Sequence, residues 1–150
     1  MIREAVPKDA QAVERIVAAA YAPLAGRMDK PPAPMLDDYG ARISEGAVDV
    51  WDDAGNVLGI IILVDQGDAL MLENVAVAPE AQGRGIGRAL ITHAEAQARE
   101  RGHARIRLYT HVTMTANQAM YARLGYVETT RGEDEGYHRV QFEKRLTRTT

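Results

Sequence analysis

A short segment rich in glycine and arginine is the part of the chain best suited to bind a charged ligand. Gly83, Gly85 and Gly87 alternate with other residues just before a helical pattern, and Arg84 and Arg88 lie among them. Glycine adopts backbone angles that other residues resist and lets main-chain N–H groups approach a ligand closely. The first N–H groups of a helix have no intrahelical partner and lie at the positive end of the helix dipole. The spacing therefore predicts a site for the phosphate or diphosphate of a cofactor.

Two familiar phosphate-binding motifs do not fit this segment. A dinucleotide-binding G-x-G-x-x-G pattern that starts at Gly85 would need a third glycine at the position of Leu90. No Gly-Lys-Ser or Gly-Lys-Thr sequence follows, so the Walker A pattern fails as well. Nucleotide hydrolysis and nicotinamide redox chemistry are therefore disfavoured.

The elements around this segment follow from hydrophobic periodicity. Residues 70–77 read as a buried strand, and apolar residues then recur at helical spacing from Ile86 until Gly102, a typical helix stop. Residues 57–64 are apolar on both faces and rich in β-branched side chains, which predicts a central strand. The other predicted elements are helices over about residues 9–23, 36–45 and 116–124 and strands around residues 48–50, 106–110, 126–127 and 137–146. This order predicts a mixed α/β domain with helices on the faces of its sheet.

Composition limits the class of protein. The chain has 150 residues and a formal net charge of −3, so it fits one domain over residues 1–150 and lacks the basic field expected of a nucleic-acid or anionic-membrane binder. It has no cysteine, and its four histidines lack metal-ligand spacing, so neither a disulfide nor a metal site is expected. Neither a signal peptide nor an apolar run long enough to span a bilayer is present, which favours a location in the cytoplasm.

The glycine-rich segment also resembles a family motif. Gln82-x-x-Gly85-x-Gly87, preceded by a strand and by Pro79-Glu80, is similar to motif A of the GNAT acetyltransferases, whose pattern is Gln/Arg-x-x-Gly-x-Gly/Ala. The resemblance extends over nearly the whole order of elements. It implies the GNAT acyl-CoA N-acyltransferase fold, with a central mixed, mostly antiparallel sheet flanked by helices, and acetyl-CoA as the cofactor.

The way in which this family binds acetyl-CoA implies which residues contact it. The sheet would open after residues 70–77, and the pantetheine arm would pair with the backbone of Val75, Ala76 and Val77 as an added strand does. The Val75 N–H would polarise the thioester carbonyl. The diphosphate would be held by the residues of motif A and the first helical turn, namely Gln82, Gly83, Arg84, Gly85, Ile86, Gly87 and Arg88.

A second segment, residues 114–126, resembles the family's motif B. Tyr121, followed by Leu-Gly-Tyr at residues 124–126, matches the end of that motif. The match implies that Tyr121 contacts the cofactor and acts as the general acid that protonates the leaving thiolate. Many members carry an asparagine seven residues before this tyrosine, where Met114 stands here. Asn117, four residues before Tyr121, is the asparagine expected to contact the cofactor.

An acceptor amine must lose a proton before it can attack, because an alkyl ammonium has a pKa near 10. A general base is worth roughly 10²–10⁴ in rate, and several GNAT relatives carry an acidic residue for this role at the strand position of Glu73. Alternation places Glu73, Val75 and Val77 on one strand face. Glu73 is therefore the predicted base, with an ion pair to a neighbouring arginine as the purely structural alternative. His111 and a chain of water molecules are the other candidates for the base.

The acceptor is the least specified part of the prediction. We expect a small-molecule amine, with a protein N-terminus or lysine as the alternative. A non-catalytic acyl-CoA-binding regulatory domain is disfavoured, because it would need neither Glu73 nor Tyr121. In relatives the link between the first two helices borders the acceptor cleft, and residues 21–39, with four prolines, would form that lid here. A homodimer is expected only because relatives commonly form one.

Overall fold

The computed structural model describes residues 1–26, 31, 33–134 and 136–146. Its helices are α1 (Ala10–Ala25), α2 (Tyr39–Ser44), α3 (Ile86–Glu100) and α4 (Thr115–Arg123). Its strands are β1 (Ile2–Glu4), β2 (Val48–Asp53), β3 (Asn56–Asp65), β4 (Leu70–Val77), β5 (Arg105–His111), β6 (Val127–Asp134) and β7 (Tyr137–Arg145). Short 3₁₀ turns span Pro7–Asp9, Ala33–Leu36 and Pro79–Ala81. No helix in the described part of the chain has the length and hydropathy needed to cross a membrane.

The predicted order of helices and strands is confirmed, with three differences. β1 has only three residues, too few to show an alternating pattern, and it pairs with β2 in antiparallel register, Ile2 with Trp51. α1 continues through Pro23 to Ala25, since a proline in the last turn removes only one helical hydrogen bond. β6 extends to Asp134 and forms a hairpin with β7. Its polar sequence after residue 127 lacks the apolar alternation that would have predicted this length.

The chain divides into two compact units. The first comprises Met1–Leu63 and Asn74–Ala94, and the second comprises Val64–Glu73 and Glu95–Thr150. In the first unit, hydrogen-bonded neighbours follow the order β1-β2-β3-β4. The buried apolar residues of α1, β2 and β3 form its core, among them Val13, Ile16, Val17, Val48, Val50, Ile60, Ile61 and Ile62. Burial of consecutive isoleucines in β3 agrees with its prediction as a strand covered on both faces.

In the second unit, the strand order is β4-β5-β7-β6. β4 and β5 run parallel, whereas β7 is antiparallel to both β5 and β6. The buried apolar strand residues of this unit include Leu70, Leu72, Ile106, Leu108, Val140 and Phe142. Seven strands in a mixed, mostly antiparallel arrangement with flanking helices confirm the predicted fold class. The single domain over residues 1–150 stays a prediction.

Candidate functional site

The glycine-rich segment forms the loop that leads into α3 in the first unit. Gly83 and Gly85 have left-handed backbone angles, with φ of +83° and +79°, a region in which a Cβ is strained. α3 begins at Ile86, and the N–H of Ala89 donates to the Gly85 carbonyl at 3.0 Å. Before Ala89, the N–H groups of residues 83–88 have no acceptor among the described residues.

This loop fits a diphosphate. Consecutive N–H groups without acceptors, combined with left-handed glycines, form a concave anion-binding main chain, and the start of α3 adds the positive end of its dipole. No described heavy atom beyond the chain neighbours lies within 4 Å of where a Cβ would sit at Gly83 or Gly85, so the main chain is open there. Arg84 and Arg88 are exposed and can supply positive charge. The residues present therefore suit the diphosphate of the predicted cofactor.

The position of α3 depends on a glycine that the sequence analysis did not single out. A Cβ at Gly59 of β3 would approach the side chains of Ile86 and Leu90 to 3.0 Å and the Ala76 carbonyl to 3.4 Å. These distances are too short for ordinary packing, so the missing side chain of Gly59 lets the first turn of α3 lie against β3. A lone glycine inside an apolar strand is the sequence signal that could have indicated this close approach.

The predicted residues of β4 lie on one face of the strand. Buried and half-buried residues alternate along the strand, so Glu73, Val75 and Val77 share the half-buried face. Ala76 lies on the opposite face and is 5% exposed. The Gln82 side chain donates to the Val77 carbonyl at 3.5 Å, which connects the glycine-rich loop to the end of β4. A ligand that pairs along this strand would use its backbone groups, with side chains setting only the shape of the surface.

The ladder between β4 and β5 is short. Residues 70–72 pair with residues 106–108, although β4 continues to Val77 and β5 continues to His111. Glu73 is therefore the first residue of β4 beyond the ladder. It is half-buried, and its Oε2 atom is buried. The second unit thus places the predicted base at the point where the two strands stop pairing.

Tyr121 lies in α4, with its ring packed in the core of the second unit. It is 3% exposed, and its ring centroid is 5.8 Å from that of Phe142 and 6.1 Å from that of Tyr126. Burial raises the pKa of Tyr121 to about 12, so the phenol keeps its proton at neutral pH. Its hydroxyl makes no hydrogen bond to another described residue, whereas the Tyr126 hydroxyl donates to Glu95 at 2.9 Å. Of these two tyrosines, Tyr121 is therefore the one whose hydroxyl can donate to a ligand.

Asn117 precedes Tyr121 by one helical turn and lies on the same side of α4. Its amide has one weak contact among the described residues, to the Met114 sulfur at 3.9 Å. The predicted site residues thus fall into two groups. The second unit carries Glu73, Asn117 and Tyr121, and the first carries Val75, Ala76, Val77 and residues 82–88.

Three polar residues that the sequence analysis did not assign to the site form a partly buried chain of hydrogen bonds in the first unit. The Tyr21 hydroxyl donates to Asn74 Oδ1 at 3.1 Å, and Asn74 Nδ2 donates to the Tyr39 hydroxyl at 3.3 Å. The Tyr39 hydroxyl in turn donates to the Pro34 carbonyl. Asn74 therefore ties both ends of the predicted lid to β4. Of that lid, residues 27–30 and 32 lie outside the described residues.

Comparison with known proteins agrees with these features. Residues 12–126 match the model of the acetyltransferase (GNAT) family. N-alpha-acetyltransferase 80 of Mus musculus is 44% identical over 64 residues, which make up 43% of this chain and 19% of that protein. The chain thus matches a stretch of about a fifth of this relative's length.

Solved structures show the same fold at low identity. The PaiA N-acetyltransferase of Thermoplasma acidophilum, in complex with coenzyme A, has a TM-score of 0.78 at 16% identity over 97% of this chain and 98% of that chain. The ribosomal-protein-S18-alanine N-acetyltransferase of Escherichia coli has a TM-score of 0.77 at 22% identity, with 100% and 96% of the two chains covered. Because the family model matches most of the sequence, the chain belongs to the GNAT family of acetyltransferases, which use acetyl-CoA.

Proposed function

We propose that the chain is an acetyl-CoA-dependent N-acetyltransferase in which an amine attacks the thioester directly while both substrates are bound. Membership of the GNAT family supports this type of reaction. The observation that carries the proposal is the loop before α3. Its residues 83–88 offer N–H groups that have no acceptor among the described residues, and Gly83 and Gly85 adopt left-handed angles, a combination suited to a diphosphate.

Acetyl-CoA supplies the acetyl group as a thioester. In our proposal, residues 82–88 hold its diphosphate, the backbone of residues 75–77 pairs with its pantetheine arm, and Asn117 contacts it from α4. The Val75 N–H stabilises the negative charge that grows on the carbonyl oxygen during attack. This assignment is supported by the β4–β5 ladder, which ends at Leu72 and leaves the later residues of β4 outside it.

Two side chains move the protons of the reaction. Glu73 accepts a proton from the acceptor ammonium, so that the nitrogen lone pair can form the new carbon–nitrogen bond. As the carbon–sulfur bond breaks, Tyr121 donates its phenolic proton to the sulfur. The nitrogen gives up two protons in total. One is released to solvent through Glu73, and the other replaces the proton that Tyr121 gave to sulfur.

The acceptor is an amine, and the kind of molecule that carries this amine stays a prediction. The sequence predicts a small-molecule amine. The similarity to mouse N-alpha-acetyltransferase 80 over 64 residues favours the alternative acceptor, the N-terminal amine of a protein. A homodimer and a location in the cytoplasm also stay predictions from the sequence.

Ligand stabilisation and thiol release together test the proposed function. Coenzyme A at 100 times its Kd should stabilise the folded protein by roughly 2.7 kcal/mol, seen as a raised Tm. Acetyl-CoA mixed with a panel of polyamines, aminoglycosides, amino acids and peptides should release free thiol. Absence of any stabilisation by coenzyme A would overturn the proposal. Stabilisation without thiol release from any acceptor would instead support the non-catalytic acyl-CoA-binding domain.

Replacing Gly85 with alanine should weaken coenzyme A binding about tenfold. Alanine in the left-handed region costs about 1–2 kcal/mol, so the free loop relaxes and binding must restore the strained angle, which corresponds to about a tenfold change in Kd. Calorimetric titration measures this change. Gly102→Ala is the matched control, because Gly102 has the same φ of +79° and equally open surroundings but lies just after α3. Equal changes of Kd in both variants would contradict the role of the loop.

A further inference from the structure

His111, the last residue of β5, is held in one tautomer. Its Nδ1 atom accepts the backbone N–H of Thr113 at 3.2 Å and lies 2.8 Å from the Thr113 hydroxyl oxygen. A ring nitrogen that accepts a backbone N–H carries no proton, so the proton of neutral His111 is on Nε2. The Nε2–H group has no acceptor among the described residues. His111 therefore presents a hydrogen-bond donor that its own surroundings do not use.

The groups around the ring keep His111 neutral. His138 and Arg139 of β7 are the basic residues next to it, with Arg139 directly opposite in the antiparallel register. Thr113 is uncharged, as is Gln118 of α4, which donates to the His111 carbonyl at 3.4 Å. Burial, and then electrostatic repulsion from the basic residues His138 and Arg139, lowers the pKa of His111. At pH 7 the imidazole is therefore a neutral donor.

His111 shares a side of the second unit with Glu73. Paired residues on neighbouring strands direct their side chains to the same side, and Met71 of β4 pairs with Arg107 of β5. Alternation along each strand then places Glu73 and His111 on that side. Arg139, which pairs with His111, lies there too. An amine that gives its proton to Glu73 is thus bound on the side where His111 and Arg139 lie.

Arg139 gives this side of the unit a fixed positive charge. It is 7% exposed, and its guanidinium carbon lies 4.2 Å from the Tyr109 ring centroid and 5.3 Å from the Tyr137 ring centroid. Stacking on two rings holds the guanidinium in one orientation. A positive charge beside a neutral N–H donor favours a ligand oxygen that carries partial or full negative charge.

We propose that the Nε2–H of His111 donates a hydrogen bond to a carbonyl or carboxylate oxygen next to the reacting amine, so that the acceptor is an α-amine of a peptide or amino acid. The inference rests on the proposed function, in which Glu73 takes the proton of that amine. His111 then determines specificity and is not the general base. As a base it would need a free ring nitrogen, but Nδ1 accepts from Thr113 and Nε2 already carries the proton. Polyamines and alkylamines lack the oxygen that this donor binds.

The test compares two variants with two acceptors. His111→Ala removes the donor, whereas His111→Gln keeps an N–H donor and cannot act as a base. With alaninamide as acceptor, His111→Ala should lower kcat/KM about tenfold, and His111→Gln should stay within about threefold of the wild type. With isopropylamine, which lacks the carbonyl oxygen, both variants should match the wild type. The kcat/KM of each variant is divided by the kcat/KM of the wild type with the same acceptor. The difference between the pKa values of the two amines then cancels.

Several results would overturn the inference. Equal losses in both variants, with a changed acid limb of the pH profile, would make His111 a base, and equal losses with both acceptors would make it a packing residue. A proton on Nδ1 at pH 7, detected by ¹⁵N NMR of the ring, would contradict the tautomer. If the wild type acetylates neither amine and no amine of the wider panel either, the proposed function fails. If it acetylates other amines of that panel but neither alaninamide nor any amino acid or peptide, only this inference fails. If it acetylates both amines and His111→Ala has no effect on either, only this inference fails. Free alanine and an alanine-initiated tetrapeptide then distinguish an amino acid from a peptide acceptor.

Discussion

Tyr121→Phe should lower kcat by about 10²–10⁴-fold, the range for loss of a general acid, while the KM for acetyl-CoA stays within about twofold. Phenylalanine keeps the ring contacts to Phe142 and Tyr126, and the lost hydroxyl makes no hydrogen bond to another described residue. The variant should therefore fold normally, with an almost unchanged Tm. Steady-state thiol release and thermal unfolding measure the two quantities on one preparation.

Tyr126→Phe is the matched control for this substitution. The Tyr126 hydroxyl donates to Glu95, a buried carboxylate that also accepts from the Lys144 ammonium at 3.0 Å. Loss of this donor should cost about 1–3 kcal/mol of stability and leave kcat nearly unchanged. Tyr121→Phe is thus expected to lower kcat with little change in stability, whereas Tyr126→Phe is expected to lower stability with little change in kcat. A similar fall of kcat in both would mean that α4 has loosened and that Tyr121 does not transfer a proton.

The raised pKa of Tyr121 adds a second readout of the same substitution. The folded state binds the phenolic proton more tightly than the unfolded state, because the pKa is about 12 when the ring is buried and about 10 when it is exposed. The contribution of the Tyr121 proton to stability is therefore complete below pH 10 and is lost as the pH rises through 12. Tyr121→Phe should lose less stability than the wild type between these pH values. Denaturant titrations at several alkaline pH values test this difference.

Glu73→Gln should lower kcat/KM about 10²–10⁴-fold at neutral pH, the range for loss of a general base. Glutamine has nearly the same shape but cannot take a proton from the acceptor ammonium. The deficit should shrink as the pH approaches the pKa of an alkylamine, about 10, because the neutral amine then forms without a base. A profile of kcat/KM against pH with one alkylamine acceptor measures the effect.

Glu14→Gln is the matched control for Glu73→Gln. Glu14 is exposed on α1, so its replacement removes the same charge without a change in the predicted site. We expect its profile to overlay that of the wild type. If Glu73→Gln runs parallel to the wild type at every pH, Glu73 is not the base, and an ion pair to a neighbouring arginine becomes its role.

The loop before α3 could be predicted because its conformation depends on residue types within a few positions of one another. The groups that would bind the diphosphate are main-chain N–H groups of consecutive residues, and glycine at 83 and 85 is what permits φ of +83° and +79° there. The face of β4 was predictable for a similar reason, since alternation along one strand relates Glu73 to Val75 without reference to any other element.

The features of the site that the sequence did not predict depend on contacts between residues far apart in the chain. The hydrogen bonds of Asn74 to Tyr21 and to Tyr39 join residues that are 53 and 35 positions apart in the sequence. No periodicity predicts such bonds. Gly59 became informative only once α3 lay against it. The charge state and environment of His111 depend on Arg139, which the β5–β7 register brings opposite to it.

The amino-acid sequence by itself determined the family, the order of elements and the loop before α3, because these follow from residue type, spacing and backbone angles over short distances. The tertiary structure alone decided that the hydroxyl of Tyr121 has no partner among the described residues, that Tyr126 binds Glu95, and that Arg139 stacks on two tyrosines. Hydrogen bonds and burial depend on which side chains meet in space, and strand pairing sets those meetings after the local structure has formed.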